Sequence, residues 1–142
     1  MNDEALIQQT LNLYSVSASR ADWDRVLTTF TPDAVWKVPV FDATFAGLEA
    51  IREGLLRFSG PMDYIVQVNT PAVITVDGDT ATAECVIREG GKFSGRDEGL
   101  EILGLYRDRL ARTAAGWKFV ERIFELRGMH SYPLAPANPP SS

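Results

Sequence analysis

The sequence predicts one α+β domain in which three N-terminal helices pack on a curved, mainly antiparallel sheet and enclose a cavity. Before Met62, apolar residues recur every three or four positions, which is the period of a helix; after it they recur every two, which is the period of a strand. Helices followed by consecutive strands are typical of an α+β arrangement. The 142 residues, 45% of them hydrophobic and 23% charged, suffice for one domain with its own core.

Three segments with helical spacing of apolar residues predict the helices. Residues 3–20 contain no Gly or Pro and form the first one. Asp22 precedes the run WDRVLTTF and can cap the free amide groups of a second, shorter helix, which ends at Thr31-Pro32-Asp33. The third helix follows Gly47 and closes at Ser59-Gly60-Pro61. Its apolar stripe consists of Leu48, Ile51, Leu55 and Phe58.

Stretches rich in β-branched and aromatic residues, bounded by turn residues, predict the strands. The predicted strands are 34–40, 44–46, 64–76 with a bend at Pro71, 80–88, 100–112 and 117–126. The polar stretch 89–97 is predicted as a loop. These segments place one domain at residues 1–127. The proline-rich remainder, 128–142, is predicted as a tail that either closes the cavity or is disordered.

Composition excludes several classes of function. One cysteine and one histidine cannot supply a disulfide framework or a zinc or iron–sulfur site, so no metal and no cofactor is predicted. The formal charge of −5 disfavours nucleic acid and anionic membranes as partners. The opening MNDEALIQQT lacks the basic and apolar stretches of a signal peptide, and no apolar run approaches a membrane span. We therefore expect a cytoplasmic protein.

The last two strands carry large apolar side chains on both faces, where a sheet with one wet face would alternate more cleanly. We therefore expect the outer face of the sheet to pack against a second copy, giving a homodimer. The two alternating sets are Trp117, Phe119 and Ile123 on one face and Val120, Phe124 and Leu126 on the other.

Four strings in order resemble one superfamily. They are YSVSASRADWDRVLTTFTPDAVW at 14–36, GLEAIREGL from Gly47, NTPAVITVDGDTATAE, and LGLYRDRLARTAAGWKFVERIF, which together extend over about residues 4–127. The chain resembles the SnoaL-like branch of the nuclear-transport-factor-two-like, or ketosteroid-isomerase-like, superfamily. The resemblance implies an α+β cone around a deep apolar cavity, usually in dimers, but no single activity, because relatives include isomerases, dehydratases, dehydrohalogenases, cyclases and binding domains.

The aspartate–histidine pair common in the dehydratase and dehydrochlorinase relatives is missing. The resemblance places Ser19 where the aspartate would stand, and Val66 or Gln67 where the histidine would stand. Serine cannot hold an imidazole in its basic tautomer as a carboxylate does, and valine cannot accept a proton. The mechanism of those relatives therefore does not carry over, although Asp22 could replace the missing acid if the first helix extended further.

Five residues are the candidates for catalysis. Asp22 or His130 would be the base, His130 reaching the cavity as part of a lid. Tyr14, on the apolar stripe of the first helix, Tyr64, near the start of the third strand, or Arg122 would stabilise a developing oxyanion. Arg122 matches a cavity residue of the dehydrochlorinase-like relatives.

Each candidate also has a structural interpretation. Asp22 can be a helix cap, and His130 an exposed tail residue. Arg122, expected on one face with Val120 and Phe124, can form a salt bridge to Glu84 or Asp108, because burying an unpaired charge is expensive. Tyr14 can be a packed core residue. Tyr106, in the YRD segment, is assigned mainly to packing.

Two functions remain open from the sequence. The first is a lyase or isomerase that removes a proton from a small, hydrophobic, cyclic or aromatic compound. The alternative is a non-catalytic ligand-binding or accessory domain, which the missing aspartate–histidine pair favours. In both, a small hydrophobic molecule is bound by residues predicted to line the cavity: Ser19, Trp23, Trp36, Phe58, Val66 and Phe124.

Overall fold

The computed structural model describes residues 2–135 and contains three α-helices and a seven-stranded sheet. The helices are α1 (Asp3–Ser19), α2 (Trp23–Leu27) and α3 (Leu48–Ser59). The strands are β1 (Phe30–Val38), β2 (Ala43–Ala46), β3 (Met62–Asn69), β4 (Val73–Asp77), β5 (Thr80–Phe93), β6 (Glu98–Thr113) and β7 (Gly116–Pro133).

The sheet is open, curved and mostly antiparallel, with strand order β2-β1-β7-β6-β5-β3, and β4 also pairs with β5. Only β1 and β7 pair in parallel. The predicted strand 64–76 is two strands, β3 and β4, separated around Pro71 and both paired with β5. The predicted α+β architecture is confirmed.

The core lies between α1 and the inner face of the sheet. Ile7 and Leu11 of α1 are completely buried, as are Ile51 of α3 and Phe119 of β7. Burying each aliphatic side chain of this size stabilises the fold by about 1.5–3 kcal/mol relative to leaving it exposed. Helix α1 is therefore held on the sheet by its apolar stripe.

The helix starts follow local capping chemistry. The Asn2 side chain accepts a hydrogen bond of 2.8 Å from the Ala5 amide at the start of α1. The Asp22 side chain accepts one of 3.2 Å from the Arg25 amide at the start of α2. Between the two helices Ala21 has a φ of 55°, and this left-handed residue turns the chain sharply.

The predicted loop at 89–97 is wrong. Strand β5 continues to Phe93 and β6 begins at Glu98, so the hairpin turn is only residues 94–97. A Cβ atom on Gly91 would lie 2.6 Å from the backbone oxygen of Tyr64. Glycine therefore serves here to let β3 approach β5 closely, and does not mark a break in the strand.

Strand β7 extends beyond the predicted end at residue 126. It pairs with β6 as far as Pro133, and it contains two β-bulges, at Val120 and Arg127, where one residue has no partner in β6. Residues 128–133 are therefore a strand and not a tail. The part of the predicted tail at 136–142 lies outside the described residues.

The bulge at Val120 changes which side chains share a face. Because a bulge adds one residue, Arg122 lies on the same inner face as Phe119 and opposite Asp108, and not with Val120 as simple alternation predicted.

No helix within residues 2–135 is both long enough and apolar enough to span a membrane.

Candidate functional site

A cavity of about 200 Å³ lies between the three helices and the inner face of the sheet. Most of its wall is aromatic or aliphatic, with few polar side chains. Tyr14, Ala18, Trp23, Leu55, Phe58 and Ser59 come from the helices. The sheet and its connections supply Trp36, Val38, Phe41, Met62, Ile65, Gln67, Glu89, Gly90, Gly91, Leu100, Ile102, Tyr106, Phe124 and Met129.

The one carboxyl group in this wall belongs to Glu89. Gln67 of β3 and Glu89 of β5 stand directly opposite each other, and the Gln67 Nε2 donates a hydrogen bond of 3.1 Å to the Glu89 Oε1. Burial raises the pKa of Glu89 above its ordinary value, and the hydrogen bond from Gln67 offsets part of that rise. The cavity therefore holds a carboxyl group whose pKa is higher than that of an exposed glutamate.

The sequence-based prediction missed Glu89 because it lay in the supposed loop. The feature that could have identified Glu89 is the alternation along strand β5, in which the residues at every second position, Ala83, Cys85 and Ile87, are buried. Continuing that alternation by one step brings Glu89 to the inner face.

Two tyrosine rings form the floor of the cavity beside this carboxyl group. Tyr14 of α1 and Tyr106 of β6 pack edge to face with their centroids 5.9 Å apart. Burial raises the pKa of both hydroxyls, and the nearby charge of Glu89 adds to the rise. The interaction between the two hydroxyls lowers the pKa of Tyr14 and raises that of Tyr106. Both phenols are therefore neutral hydrogen-bond donors at neutral pH.

Arg122 lies behind these tyrosines and does not line the cavity. Its side chain is 1% exposed, and its Nε donates a 3.0 Å hydrogen bond to the Oδ1 of the equally buried Asp108. Of the two predicted salt-bridge partners, the structure places Asp108 at Arg122, whereas Glu84 is exposed. The guanidinium carbon is 4.2 Å from the ring centroid of Tyr14, 3.6 Å from that of Tyr106 and 4.4 Å from that of Phe119.

Asp108 is a second carboxyl group whose pKa is raised by burial. Loss of hydration raises its pKa from 3.8 to about 6, although the adjacent Arg122 opposes that rise. Its Oδ2 has no hydrogen-bond partner among residues 2–135, and neither has the Arg122 Nη1. The pair is therefore held together by a single hydrogen bond.

The positions predicted for the missing aspartate and histidine do meet in space. The Ser19 Oγ accepts a hydrogen bond of 2.9 Å from the backbone amide of Gln67. Because β3 alternates, Gln67 faces the cavity and Val66 faces away. The inward residue at the predicted histidine position is thus Gln67, and Ser19 contacts its backbone without lining the cavity.

Both predicted bases lie outside the cavity. Asp22 is an exposed residue that caps α2. His130 is on β7 opposite Glu101, on the outer face of the sheet, with its Nε2 3.8 Å from the Glu101 Oε1. The bulge at Arg127 puts Met129, and not His130, in the cavity wall. The expectation that either group approaches a ligand is corrected.

Tyr64 and Val66 are misplaced for the same reason. Ile65 and Gln67 point into the cavity, so their neighbours on β3 point outward and are 52% and 48% exposed, respectively. The catalytic candidate Tyr14 lies in the cavity wall. So do four of the six residues predicted to bind a ligand, which are Trp23, Trp36, Phe58 and Phe124. Within the described residues, no group of three or more His, Cys, Asp or Glu is placed to hold a metal ion.

Comparison with known proteins agrees with the fold. The SnoaL-like domain family matches residues 1–123, and the chain belongs to that family, as the sequence strings predicted. An uncharacterized protein of Mycobacterium tuberculosis is 27% identical over 124 residues, which cover 87% of this chain and 84% of that protein.

Two solved structures show the same architecture. An NTF2-like protein with a cystatin-like fold from Novosphingobium aromaticivorans is 28% identical with a TM-score of 0.74, over 87% of this chain and 81% of that chain. The hexachlorocyclohexane dehydrochlorinase of Novosphingobium barchaimii has a TM-score of 0.83 at 17% identity, over 96% of this chain and 94% of that chain. At that identity the second similarity shows the fold alone.

Proposed function

We propose that this protein is a small-molecule lyase or isomerase in which Glu89 removes a proton from a carbon of a compact hydrophobic substrate. The observation that carries the proposal is the position of Glu89, a carboxyl group of raised pKa in an apolar cavity beside two neutral phenols. A base works best when its pKa is near the working pH, and burial tunes glutamate in this direction.

The reaction uses groups already in the wall. The C–H bond next to a substrate carbonyl breaks, the proton moves to the Glu89 carboxylate, and the electron pair forms a carbon–carbon double bond. The carbonyl electrons move to oxygen, where the hydroxyl of Tyr14 or Tyr106 donates a hydrogen bond. In a substrate with a carbon–carbon double bond next to the reacting carbon, returning the proton to the far carbon of that bond completes an isomerisation. In a substrate with a leaving group on the carbon β to the carbonyl, departure of that group with its bonding electrons completes an elimination.

Size and polarity of the cavity limit the substrate. About 200 Å³ is below the 300–1,000 Å³ typical of drug-sized sites, so a compound of one or two rings fits. The Trp36 Nε1 and the Gln67 Oε1 are buried without a hydrogen-bond partner among the described residues. A substrate with one acceptor and one donor group, or an ordered water, would satisfy them. The shared fold of the dehydrochlorinase, named for the cyclic apolar compound hexachlorocyclohexane, supports this substrate class.

Exchange of carbon-bound hydrogen tests the proton transfer directly. With 2-tetralone as the probe, a two-ring ketone with acidic hydrogens beside its carbonyl, we expect the protein to accelerate deuterium incorporation from heavy water. Proton NMR measures the exchange rate. Glu89→Gln, which keeps the size and the contact to Gln67, should reduce the accelerated rate at least about 100-fold because the general base is lost.

The matched control is Asp22→Asn, which removes an exposed carboxylate outside the cavity and should leave the rate unchanged. Equal rates for the wild type and Glu89→Gln would contradict the role of Glu89. Binding of 2-tetralone, seen as quenching of the cavity indoles Trp23 and Trp36, with no accelerated exchange would favour the alternative function, a ligand-binding domain.

We also propose that the protein is a homodimer through the outer face of the sheet. Exposed apolar residues form a patch there, defined by Val66, Val68, Val86 and Leu103. Four basic and three acidic side chains of the same face form ion pairs, with Glu121 shared by two of them, so these groups present little net charge to a second copy. These pairs are Arg88–Glu101, Arg107–Glu125, Arg109–Glu121 and Lys37–Glu121.

A further inference from the structure

We infer that Arg122 is a positioning residue that acts on the ligand through the rings of Tyr14 and Tyr106, strengthening their hydroxyls as hydrogen-bond donors. The use of those hydroxyls rests on the proposed function, but the effect of the cation on the phenols can be measured without any ligand. Arg122 itself touches no part of the cavity surface.

The contacts of Arg122 are unlike those of a purely structural ion pair. A buried arginine and carboxylate usually form two parallel hydrogen bonds with their remaining polar atoms satisfied. Here one hydrogen bond of 3.0 Å joins Arg122 to Asp108, while the Arg122 Nη1 and the Asp108 Oδ2 have no partner within residues 2–135. The guanidinium instead lies against aromatic rings, two of which belong to the cavity wall.

A cation over the face of a phenol ring attracts its electrons and stabilises negative charge on its oxygen. The guanidinium carbon is 3.6 Å from the centroid of Tyr106 and 4.2 Å from that of Tyr14, in a site from which water is excluded. At this distance and burial the attraction is screened far less than at a surface. The hydroxyls of both rings thereby become better donors to an oxygen that gains charge.

Several groups act on the two hydroxyls, and Arg122 opposes most of them. Burial raises the pKa of both tyrosines, as do the charge of Glu89 on β5 and, for Tyr14, that of Asp108 on β6. Arg122 on β7 lowers both. Without the cation, the interaction with Tyr106 would still lower the pKa of Tyr14, whereas Tyr106 would be left with groups that make it a weaker acid.

Two variants with opposite expected effects test the inference. The double variant Arg122→Met/Asp108→Leu replaces the pair by apolar residues, a change that buried ion pairs often tolerate. Asp108→Asn removes only the anion and leaves the cation beside the rings. Both proteins and the wild type carry 3,5-difluorotyrosine at all four tyrosines, because this more acidic phenol ionises within the stable pH range. Fluorine NMR then follows each ring, assigned through Tyr14→Phe and Tyr106→Phe.

We expect the double variant to raise the apparent pKa of the residues at 14 and 106 by at least about one unit, a tenfold change in acidity, and Asp108→Asn to lower that of the residue at 14. The matched control is Arg112→Met, which removes a cation 4.7 Å from the centroid of the Trp117 ring and should leave the ionisation of the residues at 14 and 106 unchanged.

Equal ionisation of these residues in the wild type and the double variant would overturn the inference, and so would a fall in the double variant or a rise in Asp108→Asn. A merely structural role for Arg122 predicts no opposite shifts. If either variant does not fold, the other decides by its direction. Because the measurement contains no ligand, a negative result leaves the proton-transfer proposal untouched, and failure of hydrogen exchange leaves this inference untouched.

Discussion

Glu89 and Asp108 are both carboxyl groups with raised pKa values, but Glu89 is half-buried in the cavity wall, whereas Asp108 is fully buried behind it. Glu89 faces the cavity and has one neutral partner, Gln67, so its proton can reach a ligand. Asp108 faces Arg122 behind the cavity wall and has no route to a ligand. The exposed groups Asp22 and His130 have ordinary solvent contact, and neither meets an apolar cavity. Residue chemistry in this protein is therefore set by burial more than by residue type.

The buried Asp108 predicts a pH dependence of stability. Its pKa is 3.8 when unfolded and about 6 in the folded protein, so the folded state holds the proton more tightly. Its contribution to the free energy of unfolding is complete below pH 3.8 and is lost as the pH rises through about 6. The free energy of the wild type, minus that of Arg122→Met/Asp108→Leu, should fall by roughly 1–3 kcal/mol over this range.

Urea unfolding of both proteins at a series of pH values measures this difference. Glu89 also has a raised pKa, with the same sign, but both proteins contain it and its effect cancels in the difference. A difference that does not change between these pH values would mean that Asp108 is ionised equally in the folded and unfolded states.

Strands β5 and β7 decide which residues reach the cavity. The extension of β5 past Arg88 brings Glu89 opposite Gln67. The two bulges of β7 bring Arg122 to the inner face and leave His130 on the outer face. One residue more or less in either strand would reverse these assignments, because successive side chains point to opposite faces.

Gly91 tests the close approach of β3 and β5. In Gly91→Ala the new Cβ would lie 2.6 Å from the Tyr64 backbone oxygen, so β3 must move away near the Gln67–Glu89 pair. We expect this overpacking to lower the free energy of unfolding by about 1–3 kcal/mol. Gly90→Ala is the matched control, because its Cβ would be 4.0 Å from the Leu100 backbone oxygen, an ordinary contact. Equal losses in urea unfolding of the two variants would contradict the steric explanation.

The whole molecule presents an apolar patch on the outside of its sheet while its cavity lies on the inside. Val68 of this patch is 62% exposed, and monomeric proteins seldom leave large contiguous apolar surface open. A second copy covering this face would leave both cavities accessible, because they lie on the opposite side of each sheet.

Charge introduced into the patch should separate the subunits. We expect the wild type to have the mass of a dimer and Val68→Lys the mass of a monomer in size-exclusion chromatography with light scattering, because a buried unpaired charge is costly. Val16→Lys is the matched control: Val16 is 48% exposed on α1, away from the sheet, and its variant should remain dimeric. A monomeric wild type, or a dimeric Val68→Lys, would contradict the proposed interface.

Most of the fold and part of the site follow from the sequence alone. The periods of the apolar residues determine the three helices, the strands and the α+β order, and the inward positions of Tyr14, Trp23 and Trp36. These features are local, because helices and strands repeat their side-chain directions at fixed intervals. The salt bridge of Arg122 to Asp108 was one of two predicted alternatives.

Only the tertiary structure decided which polar groups enter the cavity. Whether Glu89 lies in a strand depends on pairing of β5 with β3 and β6, which are distant in sequence. Whether the His130 side chain faces the cavity or the outside depends on the β-bulge at Arg127, and no residue in the sequence predicts that bulge. The chemistry of the site therefore comes from strand register, which is set by contacts between segments and not by any one segment.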